Sequence, residues 1–265
     1  MKGLISLAYK DLKTFLGRQD AALGFHELAY RELMRAGQES ANKSEYFELL
    51  YKIHGIKTNG IDSTVIAREW NRIYVILTMG ALERFLFEWR DEVKLPQVDS
   101  LFGEDKKLRT IILNILDQNP IGEINILGNL IEYYRLVRNE AAHPYSSSQY
   151  IGELKAHHQK ISCGPILNFL QTRYNRDTLP SVSYEIDFSD YSLCSRMCKD
   201  FALSLSLRYS PPMDDFIASL KWKQRFSASA NNPSRYRSRC KNELRTKFCL
   251  DDAEADLILS KLKGF

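Results

Sequence analysis

Ile124-Asn125-Ile126-Leu127-Gly128-Asn129-Leu130-Ile131-Glu132-Tyr133-Tyr134-Arg135-Leu136-Val137-Arg138-Asn139-Glu140-Ala141-Ala142-His143-Pro144 decides both the fold and the chemistry expected of this chain. Leu127, Leu130, Ile131, Tyr134, Val137 and Ala141 recur at steps of three and four residues, which lines up one helix face for burial. Pro144 disfavours the α conformation at the residue before it, so the helix is predicted to end near Ala142 with His143 at its edge. On an unbroken helix Arg138 and His143 would point roughly 140° apart. A helix that stops at Ala142 frees His143 to turn back toward Arg138, and Asn139 is close enough to hold one imidazole nitrogen. The helix end thus carries a permanently cationic fork and a side chain that exchanges protons near neutrality, a pairing suited to phosphodiester cleavage without a metal. The plain reading of the same residues is a histidine that suits the C-terminal dipole, with Arg138 an ordinary ion-pair partner.

Outward from this stretch the pattern stays mostly helical. Leu4 to Arg35 has helical periodicity with interruptions at Gly17 and Gly24, and Glu45 to Ile53 reads as a short helix before the turn Lys57-Thr58-Asn59-Gly60. Asp62 or Ser63 can cap a helix running to about Val93, with Ile66, Trp70, Ile73, Leu77, Ala81, Phe85 and Trp89 as its buried stripe. Gly80 costs roughly 1 kcal/mol relative to Ala inside a helix, so another helix is expected to cross closely there. Leu95-Pro96 ends that helix. Glu104 to Leu116 is the next, followed by the turn Asn119-Pro120-Ile121-Gly122, and a helix from Tyr150 to Tyr174 is disturbed at Gly164-Pro165. Val182 to Phe188 alternates as a short strand would. Tyr191 to Tyr209 returns to helix, and Asp251 with Glu254 can open a final one.

The chain of 265 residues is 44% apolar, enough to bury a full core. No run approaches a membrane span, and Met1 to Ser6 lacks the sustained apolar core of a signal peptide, so a cytoplasmic protein with no membrane partner is expected. Cys163, Cys194, Cys198, Cys240 and Cys249 form an odd set without a Cys-x-x-Cys pair, which argues for reduced thiols. His157-His158 near Cys163 resembles metal ligation only superficially, because adjacent helical residues diverge by about 100°. Neither metal nor cofactor is expected.

Arg138-Asn139 followed by Ala142-His143-Pro144 resembles the signature of the HEPN superfamily, and within it the ribonuclease-type branches. Trp70 to Leu86, with the acidic Glu83 before an aromatic pair, is similar to the long early helix of those domains. The resemblance covers Asp62 to Tyr174. The helical pattern gives a mainly α fold with an N-terminal helical extension at 1–62, and the resemblance implies a HEPN-like helical bundle at 63–175. A smaller, mostly helical accessory region would follow at 176–265. It further implies a metal-independent endoribonuclease for single-stranded RNA, in a defence or toxin-type system, with an antitoxin or other partner protein. Arg138 and His143 would be catalytic, Asn139 and Glu83 orienting or supporting, and a homodimer would bring two motifs to one cleft. The alternative is a non-catalytic bundle of the same fold that binds RNA or protein within a larger complex.

Charge is segregated. Between positions 221 and 247 stand Lys221, Lys223, Arg225, Arg235, Arg237, Arg239, Lys241, Arg245 and Lys247 against one acid, Glu243. That local balance of +8, within a chain of net +4, leaves −4 for the remainder. These cations, with Arg135, are candidate RNA contacts, and Trp222, Phe226 and Tyr236 are candidate stacking residues for bases. The competing reading is a basic segment offset by Asp251, Asp252, Glu254 and Asp256.

Overall fold

The computed structural model describes residues 5–55, 63–143, 147–182, 185–211, 220–229, 231–248 and 250–261. The protein is mainly α, a helical bundle with no strand among the described residues. The helices are α1 (Leu7–Glu39), α2 (Lys43–His54), α3 (Ser63–Val93), α4 (Pro96–Asp99), α5 (Leu108–Gln118) and α6 (Glu123–Ala142). They continue with α7 (Ser147–Ile161), α8 (Gly164–Tyr174), α9 (Phe188–Arg208), α10 (Trp222–Arg225), α11 (Pro233–Phe248) and α12 (Asp252–Lys261).

Local chemistry sets the ends of these helices. Asn42 caps α2 by accepting from the N–H groups of Ser44 and Glu45, and left-handed Gly55 closes it. Lys94, at φ 52°, turns the chain out of α3 before Pro96 starts α4. The predicted start at Glu104 is early by one turn, because Gly103 and Lys106 are left-handed and Asp105 accepts from the Lys107 N–H at 3.1 Å. The disturbance expected at Gly164-Pro165 is a full break between α7 and α8. Asp251 and Glu254 form a reciprocal capping box at α12, with bonds of 2.8 and 3.2 Å. The Asp62 cap and the turn at 57–60 lie outside the described residues.

Four expectations are corrected. Gly17 and Gly24 do not interrupt α1, which runs unbroken through both. The described part of 182–188 is not a strand: the Glu185 N–H bonds Val182 O at 2.8 Å, and Asp187 caps α9 by accepting from the Asp190 N–H. On α3, Phe85 and Trp89 are buried as expected, but Trp70, Ile73 and Leu77 are 41%, 44% and 50% exposed. Tyr74, Val75, Met79 and Leu82 are buried instead. Among the described residues no helix crosses closely at Gly80, where a Cβ would meet nothing within 4 Å, whereas at Gly128 a Cβ would lie 2.8 Å from Leu116 Cδ2.

The chain forms two compact units, each from separated segments. One takes the described residues of Met1–Lys13, Leu82–Gly128 and Lys199–Phe265, the other those of Thr14–Ala81 and Asn129–Cys198. In the first, the Glu92 carboxylate caps α1 by accepting from the Leu7 and Ala8 N–H groups, and Trp89 meets Tyr209 edge-on. A separate apolar cluster joins Leu220, Trp222, Cys240, Leu244, Ile258 and Leu259, so α11 and α12 pack as a pair on their own core. In the second, Leu23, Tyr74 and Tyr191 pack together, and the Tyr191 hydroxyl donates to Asp20 at 2.6 Å. Asp190, fully buried, accepts from Arg176 and from the Ser181 N–H, while the Tyr134 hydroxyl donates to its carbonyl at 2.9 Å. These bonds fix α6 against the start of α9.

Candidate functional site

Helix α6 is buried almost throughout before it reaches solvent. Leu127, Leu130, Ile131, Tyr134 and Val137 are buried, as the periodicity predicts, and so are Tyr133 and Leu136. Burial ends at the motif: Arg138, Asn139, Glu140 and Ala141 are half-buried, and Ala142 and His143 are exposed. The helix stops at Ala142 as expected, but the His143 N–H still bonds Asn139 O at 3.0 Å. The His143 backbone therefore stays on the helical path, and its Cα lies about 140° around the axis from that of Arg138. Asn139 and His143 are thus joined through the backbone.

The motif turn is anchored by a residue that sequence reading passed over. Arg72 of α3 donates through Nη2 to Glu140 Oε2 at 2.8 Å, with both side chains mostly buried at 13% and 14% exposure. The pair lies within one unit, and it ties the last turn of α6 to α3. Arg72 belongs to the quoted stretch that begins at Trp70, yet no spacing rule marks a partner 68 residues away. Glu83 lies on the part of α3 assigned to the other unit.

Arg135, a candidate RNA contact, is 6% exposed and doubly bonded to Glu132, Nε to Oε2 and Nη2 to Oε1, both at 2.7 Å. Its fork is committed within the helix and does not face solvent. Nearby, His157 Nε2 lies 2.8 Å from Asn129 O, and burial lowers its pKa. His158 Nε2 lies 3.1 Å from Pro180 O, so each histidine has a carbonyl partner of its own.

Four of the nine cations of the basic segment pair with acids. Arg225 pairs with Glu243 at 2.6 Å, Lys241 with Asp256 at 2.7 Å and Asp252 at 3.5 Å, Arg237 with Asp256 at 3.4 Å, and Arg245 with Asp252 at 3.3 Å. Lys221, Arg235 and Arg239 are exposed; the side chains of Lys223 and Lys247 lie outside the described ones. Trp222 is not a stacking platform: it is 5% exposed and donates Nε1–H to Glu243 at 3.0 Å. Phe226 and Tyr236 meet each other edge-on, and both pack against the same cluster.

Comparison with protein-family models, with curated proteins and with solved structures finds no match to this chain. Among the described residues no helix is long and apolar enough to cross a membrane.

Proposed function

We propose that this chain is an endoribonuclease of the HEPN type that cleaves single-stranded RNA without a metal at Arg138 and His143. The observation that carries the reading is the abrupt change along α6, from a buried helix to a half-buried arginine and, five residues on, an exposed histidine. Buried turns and the Arg72–Glu140 pair give that end the rigid support a reacting constellation needs.

In this reaction the 2′-hydroxyl attacks the adjacent phosphorus, the bond to the 5′ oxygen breaks, and a 2′,3′-cyclic phosphate and a free 5′-hydroxyl result. His143 removes the proton from the attacking hydroxyl or returns one to the departing oxygen. Arg138 holds the phosphate through its planar fork and balances the charge that builds in the transition state. Two proton transfers favour two carriers. The second is His143 of another copy, so the active form is a homodimer, with Asn139 orienting groups in the cleft. A defence or toxin role, under restraint by a partner protein, fits a nuclease of this kind.

The purified protein is to be tested on labelled single-stranded RNA in EDTA. Arg138→Ala and His143→Ala are each expected to lower the cleavage rate by at least about 100-fold, the usual scale for a lost proton carrier or charge clamp. Cleavage that persists in both variants overturns the assignment. A second reading, a non-catalytic module that docks a protein or RNA, is favoured by the exposed Trp70, Ile73 and Leu77 on α3. It predicts no cleavage by the unaltered chain.

A further inference from the structure

The nine cations between 221 and 247 do not act as one patch, because α11 sorts them by face. Tyr236, Cys240, Leu244 and Phe248 turn toward the apolar cluster shared with α12. Arg237, Lys241 and Arg245 form a second row, and each meets Asp252 or Asp256 of α12. The third row is Arg235, Ser238, Arg239 and Asn242, all exposed. Neither Arg235 nor Arg239 has an ion pair among the described residues. Glu243, the one acid of α11, is 6% exposed and bound to Trp222 and Arg225, so this outer face carries no carboxylate.

Arg235 and Arg239 are four residues apart, one above the other and about 6 Å apart along the axis. Like charges at this spacing disfavour a helix by a few tenths of a kcal/mol. The neighbouring row has its acids; this one has none among the described residues. We infer that Arg235 and Arg239 form a phosphate-gripping face for single-stranded RNA, one that reads the backbone and not the bases. The inference rests on the RNA reading given above for Arg138 and His143.

Its backbone character follows from the aromatic residues. Trp222, Phe226 and Tyr236 are engaged in the α11–α12 cluster, so none of these three rings is offered to a base on this face. Phosphate contacts fix position without carrying sequence information. An anionic lipid surface fits less well, since a helix lying on a membrane inserts an apolar face, and that of α11 is occupied by α12.

The test is fluorescence anisotropy of the full chain with labelled 2′-O-methyl oligouridylate and oligoadenylate over a range of salt. Lacking the 2′-hydroxyl nucleophile, these probes report binding whether or not the cleavage reading holds. Each phosphate contact to a single strand contributes a slope of about −0.7 in log K against log salt. Arg235→Ala/Arg239→Ala is therefore expected to make the slope shallower by about 1.4 and to weaken both probes equally. Arg235→Lys/Arg239→Lys retains the slope, and the charge-neutral control Arg237→Gln/Asp256→Asn leaves it unchanged. An unchanged slope in the alanine variant, an equal loss in the control, or a loss confined to one base composition overturns the inference. So does binding to phosphatidylserine vesicles that these two alanines abolish while RNA binding stands.

Discussion

Arg135 and Arg138 stand one turn apart on α6 with opposite surroundings. Arg135 is sealed against Glu132, whereas Arg138 emerges at the solvent end. A buried ion pair costs most when half of it is removed, since the surviving charge has neither water nor partner. Glu132→Ala is therefore expected to destabilise the protein by roughly 3–5 kcal/mol in urea unfolding, and Glu132→Leu/Arg135→Met to recover most of that. A loss no larger than that of an exposed substitution, within about 0.5 kcal/mol, would contradict the burial. His157 gives a pH signature. Burial holds its folded pKa below the ordinary value of 6.5, so the unfolded chain takes up a proton first as pH falls. Stability is full above 6.5 and declines as pH drops from there through the lower folded value. His157→Gln is expected to flatten that part of the stability–pH curve; an unchanged curve would show that another group sets it.

At the scale of elements, glycines distinguish open helix surface from close packing. Gly24 of α1 and Gly80 of α3 have nothing within 4 Å of a Cβ, so alanine at either is expected to stabilise by about 0.4–1 kcal/mol. Gly128→Ala places a methyl 2.8 Å from Leu116 Cδ2 in a filled core and is expected to cost about 1–3 kcal/mol. Thermal melts of the three variants separate these cases, and a stabilised Gly128→Ala would refute the close contact. Most of the fold was legible at this scale, because helix length and caps are local: the bounds of α3, α6 and α12 follow from periodicity, Pro144 and the Asp251–Glu254 box. The face of α3 was not. Trp70, Ile73 and Leu77 keep the same helical spacing as Phe85 and Trp89, and an apolar period cannot say which of two apolar rows meets the core. The strand expected at 182–188 failed for a related reason. Alternation over so few residues is weaker than one well-placed cap at Asp187.

For the whole molecule, the charge map decides more than the charge count. A run of nine cations is visible in the sequence, but pairing of Lys241 with Asp256 and Arg245 with Asp252 depends on α11 folding back against α12. The motif at the end of α6 was legible for the same reason its helix was, since it is contiguous. Its Arg72 anchor was not, because contacts between distant helices leave no spacing to read. Arg138 and His143 are proposed to direct the 2′-hydroxyl at its neighbouring phosphate. The most direct measurement is the chemistry of the ends left on single-stranded RNA by the full chain in EDTA. Attack by the 2′-hydroxyl leaves 2′,3′-cyclic phosphate and 5′-hydroxyl ends, with no cutting where that hydroxyl is methylated; 5′-phosphate ends, or cleavage of the methylated strand, would refute this role for Arg138 and His143.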